Sequence, residues 1–165
     1  IPQDYKEAAK WYRKAAAQGV AMAQSNLGMM YDQGRGVEQN FRLAKRWVLE
    51  AAQQGFAIAQ VNLGMMYSRG QGITQVYKEA AKWYRKAAVQ GDIDAQYNLS
   101  VMYANGIGLP QDFIQAHVWA SIAASKGEKA AAELAGEIEK HISKADISSA
   151  KKLAGECMEN QLSGC

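Results

Sequence analysis

The chain has 165 residues, of which 48% are apolar and 21% charged, and a formal net charge of +3. That length suffices for one domain with its own core, and the charge is too small to argue for nucleic acid by itself. No apolar run approaches the roughly 20 residues of a membrane span, and no secretion signal is visible at the start. Charge is uneven along the chain. From Glu128 onward there are five Lys/Arg and seven Asp/Glu, so 14 basic and 9 acidic residues remain in the first 127, a net +5. Only two prolines occur, which suits a mostly helical chain.

A fixed period organises the sequence. Trp11, Trp47, Trp83 and Trp119 stand 36 residues apart, as do Tyr5, Phe41, Tyr77 and Phe113. Of the 15 glycines, 13 fall into four columns, typified by Gly19, Gly28, Gly34 and Gly36. The segment YKEAAKWYRKAA occurs identically at 5–16 and 77–88, two periods apart. The opening IPQDY matches LPQDF at 109–113, so the chain is expected to start inside a repeat, with an upstream repeat before it.

In chain order, 1–20 reads as the second helix of a truncated repeat. Full repeats follow at 21–56, 57–92 and 93–128, and 129–165 reads as atypical capping helices, all within a single domain over 1–165. The second helix of each pair opens on Asp4, Asn40 or Asp112, residues that cap helix N-termini. Asp4 with Glu7 three residues on suggests a capping box. Val76 breaks this column, so the third copy is expected to start less firmly. Gly19, Gly55, Gly91 and Gly127 stand where a helix ends in a left-handed residue.

Between the helices, G-x-G with Val37, Ile73 or Leu109 predicts a short turn with one apolar anchor. Helical spacing places Ala8, Trp11, Tyr12, Ala15 and Ala16 on one buried face, and Ala23, Leu27, Met30 and Tyr31 on another. Gly28 is expected to let two helices approach closely; Ser100 in its column predicts looser packing. Residues 129–142 read as a helix, and Ser143 with Asp146 is expected to cap a last helix over 144–160. One helix pair cannot bury its apolar face alone, so the pairs are expected to stack as a solenoid.

AQSNLGMMYDQGRGVEQNFRLAKRWVLEAAQQG resembles the Sel-one-like repeat, a 36-residue relative of the tetratricopeptide repeat, and residues 3–127 follow its pattern almost throughout. The resemblance implies an all-α, right-handed α-solenoid of antiparallel helix pairs. It also implies an adaptor or scaffold for protein complexes, often in bacterial envelope or host-interaction settings. By the same resemblance the first helix of each pair lines a concave face. The partner-binding residues there would be Ser25, Asn26, Met29 and Asp32, with Gln33; Val61, Asn62, Met65 and Arg69, with Ser68; and Tyr97, Asn98, Val101 and Asn105. Asn26, Asn62 and Asn98 form a ladder whose carboxamides suit a peptide backbone, or else bond within the fold. Met29 and Met65 offer adaptable apolar contact, or else fill core gaps. Ser25, Val61 and Tyr97 differ between repeats and are the expected specificity positions.

The partner is expected to be a protein or peptide. The rival reading is a secreted or periplasmic effector that recognises a host or envelope component through convex or loop surfaces. A third is a spacer for a domain upstream. Cys157 and Cys165 resemble the helix-bridging cysteines of the family's cysteine-rich branch; a bridge would place the protein in the periplasm or outside the cell, whereas free thiols would not.

Catalytic chemistry is not expected. His117 shares a column with Ala9, Lys45 and Ala81, which suggests surface, and His141 lies on another element. No zinc spacing or phosphate loop occurs, no serine has an evident base, and neither a cofactor nor a metal is expected. Lys6, Lys10, Arg13 and Lys14, repeated at Lys78, Lys82, Arg85 and Lys86, form a basic stripe that would suit RNA or, more simply, a solvated convex face; nucleic acid and membrane insertion are not expected.

Overall fold

The computed structural model describes residues 4–70, 72–162 and 165, and among them every element is a helix. The chain divides into two compact units, Ile1–Val76 and Tyr77–Cys165. Unit 1 holds α1 (Tyr5–Ala17), α2 (Ala21–Gln33), α3 (Phe41–Gln53) and α4 (Ala57–Arg69). Unit 2 holds α5 (Tyr77–Ala88), α6 (Ile93–Asn105), α7 (Phe113–Ser125), α8 (Lys129–Glu139) and α9 (Lys144–Glu159).

The helix starts follow the expected chemistry, except that Asp4 and Glu7 form no reciprocal box, the Glu7 carboxylate pairing with Lys10 instead. Asp4 accepts from the amides of Lys6 and Glu7, Asn40 from Leu43, and Asp112 from Gln115, so otherwise unpaired first-turn donors are satisfied. Ser143 and Asp146 form a reciprocal capping box on α9. Val76 has no side-chain acceptor, but its amide donates to Tyr67 O at 3.1 Å, as Asn40 does to Tyr31 and Asp112 to Tyr103.

Two glutamine ladders complete each repeat. Buried Gln24, Gln60 and Gln96 donate to Ala16 O, Ala52 O and Ala88 O, which ties each first helix to the carbonyl end of the helix before it. Gln39, Gln75 and Gln111 donate to Asp32 O, Ser68 O and Ala104 O at 2.7, 2.7 and 2.8 Å, closing the glycine turn. Within that turn the second glycine is a point of contact. A Cβ on Gly36 would lie 2.1 Å from Tyr5 O, and one on Gly108 would lie 2.5 Å from Tyr77 O. The glycine and aromatic ladders are therefore two sides of one backbone contact.

Helix packing corrects two expectations. Trp11 is 60% exposed rather than part of α1's buried face, which is carried by Ala9 and Ala16. The tryptophan column packs backwards: Trp47 lies with Tyr12, Ala15 and Tyr31 against the buried cluster of Ala16, Ala23 and Leu27. Trp11 has no preceding helix pair to lie on among the described residues. His117, expected at the surface, is fully buried, as are its column mates Ala9 and Ala81. Its helix α7 is packed by α6, α8 and α9, and Ala116, Val118, Trp119, Ala120, Ile122 and Ala123 are buried around it.

Ser100 is also fully buried. At the corresponding place in unit 1, a Cβ on Gly28 would meet Val48 Cγ2 at 2.6 Å. Ala120 stands in the Val48 column two periods on, a smaller side chain than the valine that crowds Gly28.

Candidate functional site

The first helices bury most of their circumference. In α2, Ala23, Gln24, Ser25, Leu27, Gly28 and Met30 are buried, because α1, α3 and α4 all pack around it. What stays open is a single stripe at i, i+4, i+7 and i+11 spacing. On α2 it comprises Met22, Asn26, Met29 and Gln33; on α4, Ile58, Met65 and Arg69, with Asn62 between them. In unit 2 the same register on α6 gives Asp94, Asn98, Val101 and Asn105.

Against this stripe the expected residues separate. Asn26, Met29, Asp32, Met65, Tyr97, Asn98 and Val101 are half-buried, and Arg69 and Asn105 are exposed. Ser25 is 1% exposed, Val61 7% and Asn62 8%. Ser25 and Val61, expected to read a partner, are thus turned into the packing between helices. The variable column that reaches solvent is one residue past a helical turn earlier: Met22 is 57% and Ile58 56% exposed, with exposed Asp94 in the third place. Stepping back four residues from Asn26 in the sequence would have found it.

The amide ladder is partly engaged. Asn98 donates to Asp94 O at 2.7 Å and Asn105 to Val101 O at 2.8 Å, each within its own helix. Asp32 has a buried Oδ1 without a hydrogen-bond partner among the described residues. Burial pushes its carboxyl above the usual carboxylate range, and the Arg69 charge on α4 opposes this.

The basic stripe is largely occupied internally. Lys10 pairs with Glu7 at 3.0 Å and Lys82 with Glu79 at 2.6 Å. Lys14 lies over Trp11 and Lys86 over Trp83, at 4.7 and 4.1 Å from the ring centroids. Arg13 and Arg85 donate to the hydroxyls of Tyr31 and Tyr103.

A serine does meet a base in unit 2, contrary to expectation. Ser121 Oγ lies 3.1 Å from His117 Nδ1, and His117 Nε2 lies 3.0 Å from Glu139 Oε1, which Lys151 Nζ also meets at 2.8 Å. The order resembles a nucleophile relay, but the imidazole is closed to solvent. The chain of bonds therefore ties α7 to α8 and α9. Bonds from Lys151, then His117, hold the Glu139 carboxyl below its usual range. Among the described residues no group of three or more His, Cys, Asp or Glu is placed to hold a metal ion, and no helix is long and apolar enough to cross a membrane. The sulfurs of Cys157 and Cys165 are bonded at 2.10 Å.

Among the described residues the helices recur at a 36-residue period and end in α8 and α9, which defines a helical-repeat protein of the solenoid class. The Sel1 repeat model matches residues 1–20, 21–56, 57–92 and 93–128, and the chain belongs to the Sel1 repeat family. Among solved structures it is similar to a protective antigen present in uropathogenic Escherichia coli strains that displays an SLR fold. That match has a TM-score of 0.83 at 30% identity and covers 100% of this chain and 39% of the antigen. A Sel1 repeat protein from Oxalobacter formigenes superposes with a TM-score of 0.79 at 31% identity, over 94% of this chain and 66% of that one. Helicobacter pylori cysteine rich protein B shares the fold, with a TM-score of 0.63 at 22% identity over 79% of this chain and 94% of its own. The chain thus spans less than two thirds of the first two relatives. No curated protein matches its sequence. Sel1 repeat proteins are generally protein-interaction scaffolds.

Proposed function

We propose that the chain is an adaptor that holds a protein or peptide partner on the open stripe of its first helices. The observation that carries this reading is the stripe itself. Met22 and Ile58 stand more than half exposed on α2 and α4, next to half-buried Met29 and Met65 and exposed Arg69. Flexible thioethers adapt to varied apolar surfaces, and amides and a guanidinium beside them supply directional bonds. In unit 2 the corresponding stripe is polar, with Asp94, Asn98 and Asn105 around Val101, so by itself it would suit a more polar ligand surface. Asp32, at the edge of the unit 1 stripe, would offer its carboxyl to a cationic group.

The test is a Met22→Glu, Ile58→Glu double variant used as bait in extracts from the protein's native compartment. A partner retained by the wild type should be lost from the variant, with the melting temperature unchanged because neither side chain is in the core. Undiminished capture by the variant would show that the stripe is not the binding face. A Lys6→Glu, Lys78→Glu variant addresses the rival reading, recognition of a host or envelope component through the other faces.

The bonded Cys157 and Cys165 favour a periplasmic or secreted setting, since such bridges persist in oxidising compartments. Thiol titration of unreduced protein should find no free thiol; two would remove this argument.

A further inference from the structure

In unit 2 the chain's own tail rests on a side-chain pair that recurs, open, in unit 1. Arg85 on α5 donates from Nη2 to the Tyr103 hydroxyl and from Nη1 to the main-chain carbonyl of Cys165, the latter at 2.9 Å. The bond between Cys157 and Cys165 brings that carbonyl back across 80 residues of sequence. In unit 1, Arg13 and Tyr31 stand in the same two columns, 18 residues apart, with Nη2 bonded to the hydroxyl at 2.9 Å. Arg13 belongs to the segment Tyr5–Ala16, which is identical to Tyr77–Ala88, so both guanidiniums rise from equivalent places.

The two sites differ in what fills them. Around Arg13 and Tyr31 lies an open groove of about 400 Å³, also lined by Val37, Glu38, Gln39 and Leu43. Arg13 is exposed, and its Nη1 has no partner among the described residues. We propose that this groove binds a peptide segment by donating from Arg13 Nη1 to a main-chain carbonyl, as Arg85 does to Cys165 of the chain's own tail.

The chemistry favours this occupant. The bond to Tyr31 holds the planar guanidinium in one orientation, so little rotamer freedom remains to be lost when the second edge binds. Glu38 beside Arg13 balances the local charge, which suits a neutral carbonyl better than a free anion. Val37 and Leu43 supply apolar contact for a peptide side chain. The middle repeat has Leu49 in the arginine column opposite Tyr67 and cannot donate there, so unit 1 has one such groove. This site is separate from the open stripe of α2 and α4, and either can fail without the other.

The probe is the oxidised, end-capped peptide CMENQLSGC (residues 157–165) carrying a fluorophore, titrated into the whole protein and followed by anisotropy. Saturable binding is expected, weakened about tenfold or more by Arg13→Leu, the loss of one bond from a charged donor. Arg85→Leu should leave binding at the unit 1 groove unchanged. Leu49 shows that the column accepts leucine, and Tyr31→Phe gives a second, milder variant that should also weaken binding. The proposal is overturned if the peptide shows no saturable binding, or if it binds Arg13→Leu as it binds the wild type.

Discussion

The contact between Gly28 and Val48 can be tested by transplanting the third repeat's solution into the first. A Cβ on Gly28 would meet Val48 Cγ2 at 2.6 Å and Ala44 O at 3.0 Å. Gly28→Ser alone therefore forces two buried helices apart. Overpacking of this kind costs about 1–3 kcal/mol, and replacing a mid-helix glycine returns roughly 0.5 kcal/mol of that. Val48→Ala alone removes two methyl groups from a fully buried side chain. At about 0.8 kcal/mol per group plus a cavity term, it costs about 2–3 kcal/mol.

The double variant reproduces the Ser100 and Ala120 pair, and the serine fills the space the valine leaves. It should be more stable than the sum of the singles by about 1–2 kcal/mol, well above the roughly 0.3–0.5 kcal/mol scatter of independent sites. Urea unfolding of all four proteins, compared at their midpoints with the slope held common, measures the coupling. Additive losses would mean that Ser100 and Ala120 do not compensate each other and that the register argument is wrong.

Three other outcomes follow from particular contacts. Gly108→Ala should destabilise unit 2 far more than Gly127→Ala. Both have positive φ, but a Cβ at Gly127 meets nothing within 4 Å, whereas one at Gly108 lies 2.5 Å from Tyr77 backbone atoms. Left-handed strain alone is worth about 1–2 kcal/mol, so equal losses in chemical denaturation would refute the close approach. Asp32→Asn should raise the melting temperature at pH 7. A carboxyl whose folded pKa is raised binds its proton more tightly when folded, so its contribution weakens as pH rises above the unfolded value of about 3.8. The gain should therefore vanish in melts below that pH. Glu139→Gln should lower the melting temperature at neutral pH by weakening the bonds to Lys151 and His117. The depressed Glu139 carboxyl stabilises above its unfolded pKa of about 4.5 and loses this as pH falls through the folded value, so the variant's deficit should shrink in acid.

Much of the architecture was legible because each repeat is a nearly closed local problem. Caps at Asp4, Asn40, Asp112 and Ser143 act within three residues, and their helices start where the sequence places them. The G-x-G turn was readable too, although its second glycine proved to be a contact with the preceding repeat's aromatic position rather than only a flexible joint. Periodicity failed where a column's surroundings change along the stack. The four tryptophans look alike in sequence, yet Trp11 is exposed and Trp119 fully buried, because burial depends on which helices lie beside each one. His117 is a different case, since Ala9 and Ala81 in its column are buried as well, and the sequence carried a signal of its burial. FIQAHVWASIAAS has no Lys, Arg, Asp or Glu, unlike YKEAAKWYRKAAA, and a helix apolar on all sides is packed on all sides.

The sequence by itself determined the family, the helix pairs and the turns between them, since these rest on caps, glycines and spacings within about one period. Tertiary structure alone decided which face of each first helix remains open. Ser25 and Met22 are three residues apart on one helix, and only the placement of α1, α3 and α4 around it closes the first and leaves the second in water.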